Sequence, residues 1–303
     1  LIPIELPEPR EVIRILSCVL ADYPEYFWVE GGGTIITATR RGETVEHSLE
    51  FIYMMDEERR AEVQAEIDVA ADACLSKIDP SWTEYEKVKA VYDHIITNTV
   101  YDIERSYDQT IYSVMVLGEG VCTGYAKATQ YLLGKLGILC TYVTGDIPGR
   151  ESHAWNLVMI DGEYYHLDTT WGDPLFSGGE QPDDFISYDY FCITTKDILK
   201  THRIDTDWPL PECTAAESNY YVKNRLYFDG YSYEAILQVA RDAMEEGGKA
   251  FSFRFSDEDA YRQAVSQLFE NNDIFRMFRD VNRPVNAISY VLNDDLFIIK
   301  ILL

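Results

Sequence analysis

An α+β fold is predicted, in which a cysteine-bearing helix packs on an antiparallel sheet. An α/β extension precedes this core and a small α+β domain follows it. Three observations predict it. A glycine-rich turn at Gly118 and Gly120 runs into an amphipathic helix at Cys122. Two apolar-rich runs flank Asp161-Gly162, a signal for a two-residue hairpin turn. After Pro211 the helical and alternating patterns start afresh.

The elements follow in order. Residues 1–80 form an N-terminal helix/strand module. A helix is expected over Arg10 to Leu20, an aromatic segment over 23–29, and a break at Gly31-Gly32-Gly33. Strands at about 34–40 and 45–54 should surround Arg41-Gly42. A helix over 57–78 lines one face with Val63, Ile67, Ala70, Ala71, Cys74, Leu75 and Ile78, and Asp79-Pro80 ends it. The core, 81–212, opens on the capping box Thr83-Glu-Tyr-Glu86. Val88, Val91, Tyr92 and Ile95 give its first helix a buried face, while His94 lies off that face and reads as a surface residue.

The helix over 121–136 repeats Val121, Tyr125, Ala128, Leu132 and Leu136 at helical spacing, with Gly137 as its stop. Strands are expected at about 138–144, 152–160 and 163–170. The loops 144–151 and 177–184 lie near the site, and His202 reads as structural. Residues 209–218 read as a linker. The C-terminal domain, 217–303, should hold a strand over Asn219 to Phe228, a helix from Tyr233 to Met244, an alternating strand with Phe251, Phe253 and Phe255, a helix to about Asn271, and a final hairpin over 287–292 and 296–303.

Cys122, His153 and Asp168 carry the chemistry this order suggests. Cys122 starts its helix, where free amides and the positive end of the dipole favour a thiolate and can hold an oxyanion. The Asp161-Gly162 turn sets Trp155 opposite Asp168 and His153 opposite Thr170, so parity places His153, Trp155, Asp168 and Thr170 on one face. A one-residue slip would separate base from carboxylate. A nucleophile, a base and an orienting carboxylate are the parts of a thiol acyl-transfer site. His166 shares the Asp168 face and is the rival base, with a structural role as its other reading. Trp155 and Trp171 read as pocket walls or core. A zinc site from Cys122, His153, His166 and Asp168 has no supporting CxxC or HxxxH spacing. The reading assigns no cofactor and no metal.

The blocks Gly118-Glu-Gly-Val-Cys122-Thr-Gly-Tyr125-Ala, His153-Ala-Trp-Asn156 and Asp168-Thr-Thr-Trp171-Gly-Asp-Pro174 resemble the transglutaminase-like superfamily, in its bacterial members. The resemblance covers roughly residues 82–212, reaching Tyr101-Asp102 upstream and Tyr190-Phe191 downstream. It implies a papain-like transglutaminase core with Cys122 as nucleophile, His153 as base and Asp168 as orienting carboxylate. It also implies that Tyr101 assists the oxyanion site, core packing being the other reading. The family holds cross-linkers, peptidases, amidases and inactive relatives, and these motifs do not separate them. The expected activity is a peptidase or amidase. A protein-glutamine transamidase is the alternative, and a non-catalytic protein- or cell-wall-binding module the second.

Composition sets the remaining bounds. The 303 residues suffice for two domains, and 47% hydrophobic residues exclude a disordered chain. Asp plus Glu number 52 against 26 Lys plus Arg, a formal charge of −26. That disfavours nucleic acid and anionic membranes, and suits a peptide or protein substrate that is cationic or lysine-containing. No apolar run is long enough for a membrane span. Six cysteines are not a disulfide framework. Cys18, Cys74, Cys140 and Cys192 read as core thiols, and Cys213 as the spare reactive one. The chain starts at Leu1 without Met, which fits either removal of a signal or anchor or a sequence trimmed at its start, and the sequence does not choose between them. An extracellular or cell-surface place is favoured over a cytoplasmic one, and the oligomeric state is open.

Overall fold

A computed structural model describes residues 2–4, 9–40, 43–102, 107–149, 152–173, 186–205 and 209–303. The Arg41-Gly42 turn and the 177–184 loop lie outside them. The chain divides into two compact units, Leu1–Thr144 with Ser152–Asp161, and Gly145–Glu151 with Gly162–Leu303. Helices and strands mix throughout, an α+β class.

In the first unit the Pro9–Asp22 helix carries Val12, Leu16 and Leu20 at four-residue spacing. They pack with Leu49 on a three-stranded antiparallel sheet, in which Glu43–Tyr53 runs between Ile2–Ile4 and Val29–Arg40. The expected break at Gly31-Gly32-Gly33 is instead part of a strand. Val29 pairs with Tyr53 and Gly33 with Phe51, so the glycines absorb a bulge rather than end the pairing.

The Glu57–Leu75 helix starts where Asp56 accepts the Arg59 N–H at 2.8 Å. It ends three residues before Ile78, because the chain tightens into i→i+3 bonds (Lys77 to Cys74, Ile78 to Leu75) ahead of Pro80. The Glu84–Asn98 helix has both halves of the Thr83/Glu86 capping box. His94, expected at the surface, is half-buried beside Asn98, and burial lowers its pKa. The Cys122–Lys135 helix stops at Gly137, left-handed at φ 75°, where Ile138 N–H reaches back to the Leu133 carbonyl at 3.0 Å.

The turn predicted at Asp161-Gly162 has φ 53° and 87°, the two positive values that type I′ requires. In the second unit the strand Glu163–Leu167 stops short of the expected Thr170. Asp168 N–H donates to the Tyr190 carbonyl, and the Asp168 side chain then accepts Trp171 N–H at 3.0 Å, turning the chain. The expected strand from Asn219 to Phe228 is mostly absent. Asn219 accepts Tyr221 N–H and caps the short helix Tyr220–Lys223, leaving only Tyr227–Phe228 as strand. Local capping outweighs the β propensity of Tyr-Tyr-Val.

A four-stranded sheet follows, ordered Tyr227–Phe228, Ala250–Phe255, Ile298–Leu302, Ser289–Asn293; its first pair is parallel and the rest antiparallel. Phe251, Phe253, Phe255, Ile299 and Ile301 pack with the helices Tyr233–Glu245 and Glu258–Val265. An unforeseen helix, Asp273–Asp280, joins through Ile274, Met277 and Phe278. Cys213 also departs from expectation. It is buried, its N–H donates to Thr195 Oγ1 at 2.8 Å, and burial pushes its thiol up to about 11. It is therefore a poor spare nucleophile.

A buried charge pair underlies this sheet. Lys300 Nζ lies 2.8 Å from Asp189 and donates to Ser187 Oγ at 2.7 Å. Tyr221 OH and Asn293 Nδ2 donate to the same carboxylate at 2.8 and 2.9 Å. Burial pushes the Asp189 carboxyl up, but the Lys300 charge and these three donors outweigh it and hold the pKa down. Its stabilisation is therefore present above the unfolded value of about 3.9 and is lost as pH falls through the folded one. Lys300→Met strands the carboxylate, so urea unfolding at pH 7 should show a loss of about 3–5 kcal/mol. A loss below ~1 kcal/mol would show that the pair contributes little.

Candidate active site

The approach to Cys122 is built on close backbone contact. Gly118 is left-handed at φ 72° and closes a π-helical turn, Ser113–Leu117. A Cβ on Gly124 would stand 2.6 Å from the Asp108 carbonyl oxygen, and one on Gly120 would stand 3.0 Å from it. Only glycine lets the 108–114 segment lie this close, and Val121 N–H binds the same carbonyl at 3.0 Å. Cys122 is thus fixed as the first residue of its helix.

Val121, the N-cap, supplies no side-chain hydrogen bond to the first turn. Those amides point where an anion would sit. Cys122 itself is 9% exposed, more enclosed than a helix end suggests, and packs with Ala126, Ala154 and Tyr142. Tyr101 is half-buried and pairs in register with Gly120, two residues before the thiol. Its ring lies 6.2 Å from that of Tyr125.

The His-Ala-Trp-Asn block has a physical reading, residue by residue. It lies on the strand Ser152–Ile160, against which the Cys122 helix packs. Ala154 is small and touches Cys122 and Ala126. Asn156 Nδ2 donates to the Ala126 carbonyl at 3.0 Å and to that of Thr141 at 3.3 Å, tying helix and neighbouring strand to this one. Trp155 is 1% exposed, which makes it core. His153 is buried and its ring stacks on Trp155, centroids 5.9 Å apart at 20°.

Asp168 belongs to the second unit and is fully buried. One oxygen accepts Trp171 N–H; the other meets His202 Nε2 at 3.2 Å. His202, which sequence context left as structural, is enclosed by aromatic rings: Trp171 at 4.8 Å and Tyr190 at 5.4 Å. Its Nδ1 meets Thr201 Oγ1 at 2.8 Å. Trp171 is only half-buried and packs edge-on to Tyr190 at 4.7 Å. His202 follows Asp168 by 34 residues in a polar stretch with no periodicity, so nothing in the sequence linked them.

His166 is occupied elsewhere. Its Nε2 lies 3.2 Å from Thr195 Oγ1, and burial, helped by His202, lowers its pKa to about 4. It stays neutral at physiological pH and is a weak base.

Residues 73–169 match the model of the transglutaminase-like superfamily. Over 170 residues the chain is 24% identical to kyphoscoliosis peptidase of Homo sapiens, covering 49% of this chain and 26% of that protein. The Mus musculus kyphoscoliosis peptidase is 22% identical over the same length, with the same shares. The match thus spans about a quarter of these curated relatives, 26% of each. Among solved structures, one of a TGase is 15% identical with a TM-score of 0.34, covering 59% of this chain and 51% of that one. One of menin is 13% identical with a TM-score of 0.32, covering 92% and 63%. Among the described residues, no helix is long and apolar enough to cross a membrane.

Proposed function

We propose that this chain, transglutaminase-like over residues 73–169, is a cysteine-nucleophile enzyme that opens peptide or protein amides through a thioester on Cys122. The observation that carries this reading is Cys122 at the start of a helix whose first turn has no side-chain cap, packed against the strand that bears His153. In this mechanism His153 takes the Cys122 proton, and sulfur attacks the amide carbon. The first-turn amides receive the oxyanion, with Tyr101 as an added donor. Collapse breaks the C–N bond, and the imidazolium gives its proton to the departing amine. Water, deprotonated by His153, then releases the acid. A lysine amine in place of water would make the same site a transamidase. Hydrolysis is the preferred outcome because water is always present.

Asp168 is proposed to hold the His153 ring in its useful tautomer and to stabilise the imidazolium. The type I′ geometry at Asp161 and Gly162 supports the hairpin register from which this role is argued, with Asp168 one residue past the end of the strand Glu163–Leu167. His202, hydrogen-bonded to the Asp168 carboxylate, would fix that carboxylate's direction. Asp168→Asn should lower kcat/KM by roughly 10²–10⁴-fold, less than loss of the thiol, because Asp168 makes no bond. It should also alter the pH profile of Cys122 alkylation; superimposed profiles would reduce the triad to a dyad.

The reading as a whole is tested by incubating the protein with a peptide library and trapping acyl-enzyme by mass spectrometry, with and without a primary amine. An acyl adduct on Cys122 that turns over to acid supports the peptidase or amidase. An amine adduct would favour the transamidase. No adduct at all would leave a binding module that retains the fold.

A further inference from the structure

The first unit holds a cavity of about 210 Å³ that the mechanism above does not use. One wall is the aromatic segment near the N-terminus: Tyr23, Tyr26 and Phe27. The other is the face of the Cys122 helix that carries Thr123 and Lys127, one turn apart, together with Tyr142. This cavity adjoins the nucleophile. Thr123 follows Cys122 directly, its hydroxyl lies 3.3 Å from Tyr142 OH, and Tyr142 packs against the Cys122 cluster.

Lys127 is the unusual member. It is only partly accessible, and burial lowers its pKa. Its ammonium lies 6.0 Å from the centre of the Tyr142 ring. Among the described residues no carboxylate pairs with it, in a chain that has 52 acidic side chains to offer. A partly desolvated cation without a counterion is costly, and an anion brought by a ligand removes that cost. The aromatic wall would take up the apolar part of the same ligand.

We propose that this cavity is a substrate subsite for a carboxylate-bearing residue of the acyl donor, the carboxylate held by Lys127 and its apolar neighbour by the Tyr23–Phe27 wall. The proposal deepens the amide-cleaving reading and places the substrate's anion beside, rather than at, the thiol. Such a carboxylate could be a side chain or a chain terminus, and the probes below separate the two.

Binding is measured by ligand-observed NMR on the full chain carrying Cys122→Ala, so that the result does not depend on turnover. One pair of probes is N-acetyl-phenylalanine and its amide, which tests a terminal carboxylate. The other is acetyl-Phe-Glu-amide and acetyl-Phe-Gln-amide, which tests a side chain. In at least one pair the acid should bind roughly tenfold or more tightly than its neutral partner, the size of a charge-assisted hydrogen bond. Lys127→Met should erase that preference and leave the neutral probe's affinity unchanged, and Lys127→Arg should restore part of it. If Lys127→Met fails to fold, Lys127→Gln serves in its place. Equal binding within both pairs, or a preference that survives loss of the lysine charge, overturns the subsite. Preference in a protein whose Cys122 forms no acyl adduct would keep the subsite and sink the enzyme reading.

Discussion

Cys122→Ala should abolish amide turnover, with a fall on the order of 10⁵-fold or more, as expected when a covalent nucleophile is removed. The fold should survive. The change deletes one sulfur at the first residue of a helix and leaves its backbone start intact, because that start is set by Gly120, Val121 and Gly124 against the Asp108 carbonyl. The stability cost should be about 1 kcal/mol. Turnover of a peptide amide and a urea melt on the same preparation separate the two effects. A folded Cys122→Ala protein that retains activity would remove the mechanism. Four of the other five cysteines offer no easy substitute: burial raises the Cys18, Cys74, Cys140 and Cys213 thiols.

His153→Ala should be nearly as damaging, and His166→Ala much milder for activity per folded molecule. The two histidines differ in environment more than in distance along the chain. His153 stacks on Trp155 on the strand that packs against the Cys122 helix. His166 is tied to Thr195, and with its pKa lowered to about 4 it has little capacity to hold a proton taken from a thiol. Both side chains are buried, so each variant needs its fraction folded measured alongside kcat/KM. An inactive His166→Ala beside a near-normal His153→Ala would reverse the assignment of the base.

The parts of this molecule that could be read from sequence are those set by local chemistry. The Thr83 capping box, the Gly137 helix stop and the Asp161-Gly162 turn each depend on a few adjacent residues, and each is present. The limits also have physical causes. Gly31-Gly32-Gly33 can end a strand or bulge it, and only the partner strand decides. Asp168 was expected inside a strand but lies just past its end, because the Tyr190 carbonyl that draws it out is distant in sequence.

Asn219 carried a capping signal that β-rich neighbours masked. His202 had no local signal at all, since its significance lies in a contact with Asp168. Cys213 looked exposed because Pro-containing segments are usually surface loops, yet the Thr195 contacts bury it. Lys127 had no sequence signal that set it apart from other helix lysines. Its isolation shows only once the aromatic segment lies across from it.

The central claim is that Cys122 is an activated thiol, coupled to His153. Its most direct test is iodoacetamide labelling of the intact protein at pH 6, with all six cysteines followed by peptide mapping. An ordinary thiol, with a pKa of about 8.5, is almost wholly protonated there and reacts slowly. Cys122 should label at least about tenfold faster than half-buried Cys18, and His153→Ala should bring it down to the Cys18 rate. Labelling of Cys122 no faster than Cys18, or labelling indifferent to His153, would contradict the account.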